Sequence, residues 1–444
     1  MGILQTYPHI FRALESNLGS HSNTALHYCK QEAMDRLTSM GMPTRKLERW
    51  RHTSPLPFYA SELNPSFAPL HRKHISVDDF NRKDEIDAHK LVFVNGSYQE
   101  HLSKVYQEAQ GVTICSMNEA LTKHSELITP HLKEICRNPH DGFNLLNVAF
   151  FGDGIFIKIP KNTVLERPIH WIFLAADNSR FMINPYHQIH CGENSKVQII
   201  KEYQSLDNSE LYVNSHCSTF LDQGAHLEFT MIQNETVNGF HHLNNHIVYQ
   251  NRDSQFKQTA VSLAGRLLRN QVFVRLQEPG ANCAIQGLYY GKGDDHVDNR
   301  ITVKHLSPDC ESHQNFKGLL DDNSTAVFNG KIYVEEDAQR TNAFQSNKNI
   351  ILSDHATVHS QPQLEIYADD VKCSHGATSG QIDQDALFYL VSRGIPLYQA
   401  KAVLNYAFIA EITEKISLPT IREHIQELMR EKLNYAWDDE LTQS

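Results

Sequence analysis

From about residue 145 to 375 the chain is built of short runs that alternate apolar and polar residues, and this texture limits the fold more than any other feature. Val197-Gln-Ile-Ile200, Leu227-Glu-Phe-Thr-Met231, Val272-Phe-Val-Arg-Leu276 and Ala326-Val-Phe-Asn-Gly-Lys-Ile332 are examples. Alternation sends successive side chains to opposite faces, as in a strand with one buried side. The runs recur about every 12–16 residues, separated by Asn, Asp and Gly, which supply turns. No long helical pattern intervenes, which argues against an alternating βαβ sheet. A sandwich, a propeller and a solenoid remain. Asn- and Gly-marked corners between many similar short strands favour the β-solenoid, in which each coil buries its inward residues on the next. No strict repeat is visible by eye.

Both flanks read as helical. After Ser22-Asn23, a capping pair, Ala25, Leu26, Cys29, Ala33, Met34 and Leu37 fall near helical spacing, and Gly41 and Pro43 end the segment. Trp50 opens a loop dotted with Pro and Ser, and between about 60 and 140 the mixed periodicities assign no architecture. Beyond Gly380, Asp383 is placed to cap a helix carrying Leu387, Leu390 and Val391. A second helix, from about 397 to 416, carries a stripe of Ala400, Val403, Leu404, Ala407, Phe408 and Ile412. A third opens with Pro419 and a Thr420-x-x-Glu423 capping box, followed by Ile421, Ile425, Leu428 and Met429. That last helix exposes apolar surface unless neighbours or a partner cover it. The expected division is an N-terminal helical or mixed domain (1–144), a β core (145–379) and a C-terminal helical domain (380–444).

Cys373 and His375 stand two residues apart after the β-type run Leu364-Glu-Ile-Tyr-Ala. On an extended segment both project to one side. Thiol and imidazole together suit iron, zinc or an iron–sulfur cluster. Two ligands are too few for a closed four-coordinate site.

The same residues carry a resemblance. Pro362–Thr378, Gly380-Gln-Ile-Asp383 and Leu387–Ile395 resemble the C-terminal signature of the SufD family, scaffold subunits of the bacterial SufBCD complex for iron–sulfur cluster assembly. The likeness extends through Phe316–Lys331, Asp337–Thr341, Leu146–Phe151 and Gly41–Trp50. SufB-like chains are the nearest relatives, but they carry Glu directly after the matching histidine, where this chain has Gly376.

The resemblance implies a mainly β protein, a right-handed parallel β-helix core flanked by N-terminal and C-terminal helical domains. It implies a non-catalytic scaffold that pairs with a SufB-like subunit. Cys373 and His375 would lie at that interface and share transient iron or a nascent cluster with ligands from the partner. It further implies a SufC-like ABC ATPase contacting the C-terminal helices, here about 385–435. Flavin, associated with the family's complex, has no recognisable motif in this chain.

Other features weigh less. Asp369-Asp370 and Glu365 read as a solvated turn and strand edge, with a hard-oxygen station for iron as the functional alternative. His187, His190 and Cys191 resemble a metal cluster on paper, yet positions i and i+3 of a strand face opposite ways. His241, His242 and His246 share that weakness, and Cys310 with His313 is a weaker pair in a turn-rich segment. With 26 histidines, chance clusters are expected. No nucleophile elbow, phosphate loop or Gly-x-Gly-x-x-Gly occurs, so ATP turnover has to come from another chain. A β-solenoid polysaccharide lyase or hydrolase is the rival from another class, drawing on the pairs Asp294-Asp295, Asp321-Asp322 and Asp369-Asp370. A purely structural β-helix with an inert Cys373 is the third reading.

A formal charge of −11, from 41 basic against 52 acidic residues, argues against a general nucleic-acid binder. Eight scattered cysteines without a Cys-x-x-Cys pair fit a reducing compartment better than a disulfide framework. No apolar run is long enough to span a bilayer, and no secretory signal pattern is present; the expectation is a cytoplasmic protein. Met1-Gly-Ile-Leu-Gln-Thr6 formally fits a myristoylation pattern, which short sequences match by chance.

Overall fold

Successive strands in the middle of the chain alternate between two sheets. One sheet runs through Lys196–Ser205, His226–Asn234, Gln255–Ala264, Asn282–Gly291, Glu311–Leu320, Thr341–Ile351 and Val371–Gly380. The other runs through Tyr186–Cys191, Glu210–Leu221, His241–Gln250, Leu267–Leu276, His296–His305, Thr325–Val334 and Thr357–Ile366. Every pairing among these strands is parallel. The result is a parallel β-solenoid of about seven turns, with 44% of the described residues in strand. The computed structural model describes residues 7–13, 24–59, 75–76, 86–108, 111–176, 180–206, 210–234 and 240–433.

A column of left-handed corners sets the coil length. Asn162, Asn194, Gly224, Asp253, Gly280, Asp309 and Arg340 all have positive φ and follow one another at intervals of 27–32 residues. Only Gly, Asn and Asp enter this region at little cost, and six of the seven are of those types. The corners stack through backbone bonds such as Asn194 N–H to Gln223 O (2.9 Å) and Gly224 N–H to Arg252 O (2.9 Å). At Arg340, the exception, the guanidinium grips both oxygens of Asp309 one coil below at 2.6 Å. The acidic pairs belong to similar turns. Asp322 accepts from Gly293 N–H, and Asp294 pairs with Arg266 and accepts from Asn323.

Between the sheets lies an apolar core of residues such as Trp171, Phe229, Val274, Ile301 and Phe328. It also holds polar groups. Lys201 is fully buried, donates to Ser215 Oγ (3.0 Å) and Asn244 Oδ1 (3.2 Å), and burial lowers its pKa to about 8.

Helices cover the outer faces. On the second sheet lie α1 (Thr24–Met40), α2 (Met117–Lys123), α3 (Ser125–Arg137) and α4 (Gly142–Phe150), with Phe143 and Phe150 packed in one cluster with Tyr212, Leu243 and Leu267. Gly41 ends α1 as expected, with φ +81° and its N–H on Leu37 O. The capping pair Ser22-Asn23 and the myristoylation-like Met1–Thr6 lie outside the described residues. Where the sequence pattern assigned no architecture, strand His89–Val94 joins the first sheet in parallel beside Ile169–Ala175.

The C-terminal helices are α5 (Gln384–Ser392), α6 (Leu397–Thr413) and α7 (Pro419–Lys432). Asp383 caps α5 by accepting from Asp385 and Ala386 N–H. The capping box at Thr420 does not form. Pro419 occupies the first helical position, so Leu418 is the N-cap and Thr420 lies inside the helix. Of the expected α6 stripe, Ala400 and Ile412 are buried, Val403, Leu404 and Phe408 are half-buried and Ala407 is exposed, while Ala402, Asn405, Ile409 and Thr413 join the buried set. Ile421, Ile425 and Met429 of α7 are sealed against Ile232, Val261 and Leu288 of the first sheet. Free apolar surface is found instead on α5 and the start of α6, where Phe388 and Tyr398 are 75% and 65% exposed. No helix among the described residues is long and apolar enough to cross a membrane.

Candidate functional site

The solenoid ends on strands Thr357–Ile366 and Val371–Gly380, each the last in its sheet. The final corner is fixed by Arg340 N–H on Asp370 O (2.6 Å) and by Asp370 N–H on the Gln339 side chain (2.9 Å). From there Val371–Gly380 runs in register on the preceding coil, placing Cys373 beside Ala343 and His375 beside Gln345. Ala343 and Gln345 are buried in the interior. Side chains stack along a parallel ladder, so Cys373 and His375 share the inward face.

No strand among the described residues pairs with the outer edge of Val371–Gly380. Cys373 is therefore half-buried, packed with Ile332, Val334, Leu364 and Val371, while His375 is exposed. Burial pushes the Cys373 thiol pKa up, opposed by the Ala343 backbone. A metal would have to displace that proton, since the thiolate is the ligand. Among the described residues no group of three or more His, Cys, Asp or Glu is arranged to hold a metal ion. This end of the chain offers one sulfur and one nitrogen.

Glu365 is paired with Lys331 at 2.8 Å, and Asp369 and Asp370 are exposed at the last corner. Strand geometry splits the other histidine clusters, although His242 and His246, four residues apart, keep one face. His187 is buried inside against Trp171, whereas His190 stacks outside on Phe220 with ring centres 4.8 Å apart. His242 and His246 point inward to Gln233 and to Thr219 and Gln258, while His241 stacks outside on Tyr212. Cys310 is buried near a corner, and His313 stacks on Phe344 on the outer face.

Sequence reasoning missed the ion pair that fastens the N-terminal segment to the solenoid. Buried Arg269 contacts Asp298, donates to Arg49 O at 2.9 Å and lies 3.8 Å over the Trp50 ring. Trp50 Nε1 donates to Asp141 Oδ2 (3.1 Å), and Thr53 donates to Asp298 (2.5 Å). The signal lay in Gly41–Trp50, whose tryptophan had no visible partner in sequence.

Comparison with known proteins adds a separate line. A family model described as the SufBD core domain of the SUF system for FeS cluster assembly matches residues 173–408, and one for the SufBD protein N-terminal region matches residues 1–171. The chain belongs to the SufBD family. A SufBD family iron–sulfur cluster assembly protein of Synechocystis is 30% identical over 90% of this chain and 89% of its own length. The iron–sulfur cluster assembly protein SufD of Escherichia coli is 27% identical over 95% of both chains, and SufD of Bacillus subtilis is 22% identical over 73% of this chain and 74% of its own. The two-sheet solenoid, from the Ile169–Ala175 strand onward, is what the SufBD core model spans.

Proposed function

We propose that this chain is a non-catalytic scaffold subunit in which Cys373 and His375 form half of a site for iron or a nascent iron–sulfur cluster. The observation that carries the proposal is their placement on the inward face of an uncovered terminal strand. The cluster is cargo here, and the missing ligands come from a SufB-like subunit. Exposed strand edges present unpaired N–H and C=O groups, a template for adding another chain's strands. A second solenoid seated on Thr357–Ile366 and Val371–Gly380 would bring its own donors to the thiol and imidazole.

The exposed group of Phe388, Tyr389, Val391, Leu397 and Tyr398 suits a SufC-like ATPase. Co-expression with genes for a SufB-like chain and an ABC-type ATPase, followed by affinity purification of this chain, tests both contacts. Both partners are expected in the eluate, and Phe388→Ser with Tyr398→Ser should release the ATPase alone. Recovery of this chain without either partner contradicts the proposal.

A further inference from the structure

A cavity lies far from the terminal coil, between α3 and the outer face of the second sheet. Its volume is about 240 Å³, below the roughly 300–1,000 Å³ of pockets for drug-sized ligands. The floor is part of a column in direct register, Tyr249 beside Arg275 and Arg275 beside Lys304. His131 and Glu134 of α3 and His140 of the following turn form the wall.

Arg275 and Lys304 put two cations on adjacent strands, about 4.8 Å apart. Their contacts are with rings: Arg275 with Tyr249, and Lys304 with Phe273 and Tyr333. Arg275 Nε is buried and has no hydrogen-bond partner. Both cations act on the wall, since each helps to hold the pKa of His140 down after burial itself. The carboxylate lining the cavity, Glu134, lies 3.7 Å from His131. Like charges side by side are unfavourable unless something neutralises them.

We propose that this cavity binds a small multivalent oxyanion, a phosphate or a polycarboxylate of metabolite size. Arg275 supplies the planar fork that matches such oxygens, and Lys304 supplies a point charge beside it. The apolar walls, Ile135, Ile247 and Phe273, leave room for a short carbon body.

Titration calorimetry of the full chain with citrate and with inorganic phosphate tests this. Saturable binding of at least one is expected, weakened at least tenfold by Arg275→Gln and by Lys304→Gln. Arg275→Lys should fall between wild type and Arg275→Gln, because it keeps the charge and loses the fork. Citrate binding without phosphate binding assigns a carboxylate ligand, and the reverse assigns a phosphate. Thermal melts of each variant establish that it is folded. Binding of neither anion at millimolar concentration, or binding equally strong in both Gln variants, overturns the proposal.

Discussion

Cys373 lies in register on Ala343, so its thiol enters the solenoid interior at an end coil, whose outer side carries no further strand among the described residues. Elsewhere the same position is filled and closed by the next coil. The proposed half-site thus follows from where the solenoid stops.

Acid should destabilise this fold well before its carboxylates are protonated. Burial depresses the pKa values of His216 and His246 to about 3 and those of His190 and His305 to about 4, against 6.5 when free. Below pH 6.5 the unfolded chain binds protons that the folded chain refuses. Stability is therefore full above 6.5 and falls as pH drops towards 4, by roughly 2 kcal/mol per histidine between pH 6.5 and 5. Urea unfolding across that range should show the slope, and His246→Gln should make it shallower by about one proton.

Asp298→Ala should cost about 3–5 kcal/mol, because it leaves Arg269 charged, buried and unpaired. The loss should appear first around residues 49–53, whose Arg49, Trp50 and Thr53 are tied to this pair. Hydrogen exchange of that segment and chemical denaturation measure the two effects.

Two glycines should behave differently when given a methyl group. A Cβ at Gly154 would lie 1.7 Å from the Tyr186 carbonyl oxygen, and backbone in the sheet has nowhere to go. Gly293 has open space around it and only its φ of +62° to strain, about 1–2 kcal/mol. Gly154→Ala should thus prevent folding or lower Tm far more than Gly293→Ala, as thermal melts would show.

Strand texture was legible because alternation marks a half-buried strand, and the register of Val197, Leu227 and Phe256 bears it out. The coil repeat was not, because it resides in backbone conformation. The same corner is served by Asn194, Gly224, Asp253 and Arg340, so no single residue type marks the repeat. Spacing alone put Cys373 and His375 on one face. That this face is interior and uncovered needed their register on Ala343 and Gln345. The helical stripe of α6 was legible in part: Ala400 and Ile412 are buried, but Ala407, apolar enough to fit it, faces solvent, while polar Asn405 is buried. The apolar face of α7 is covered by its neighbours and free apolar surface lies on α5, since pattern shows that a helix has an apolar face and not what lies against it.

The most direct test of the half-site is the iron and sulfide content of the purified complex, compared between wild type and the Cys373→Ala, His375→Ala double variant. Cys373 is half-buried and His375 exposed, so the variant should fold and recover its partners as wild type does. The account predicts a cluster in the wild-type complex and its loss from the variant complex. Equal iron and sulfide in both would contradict it.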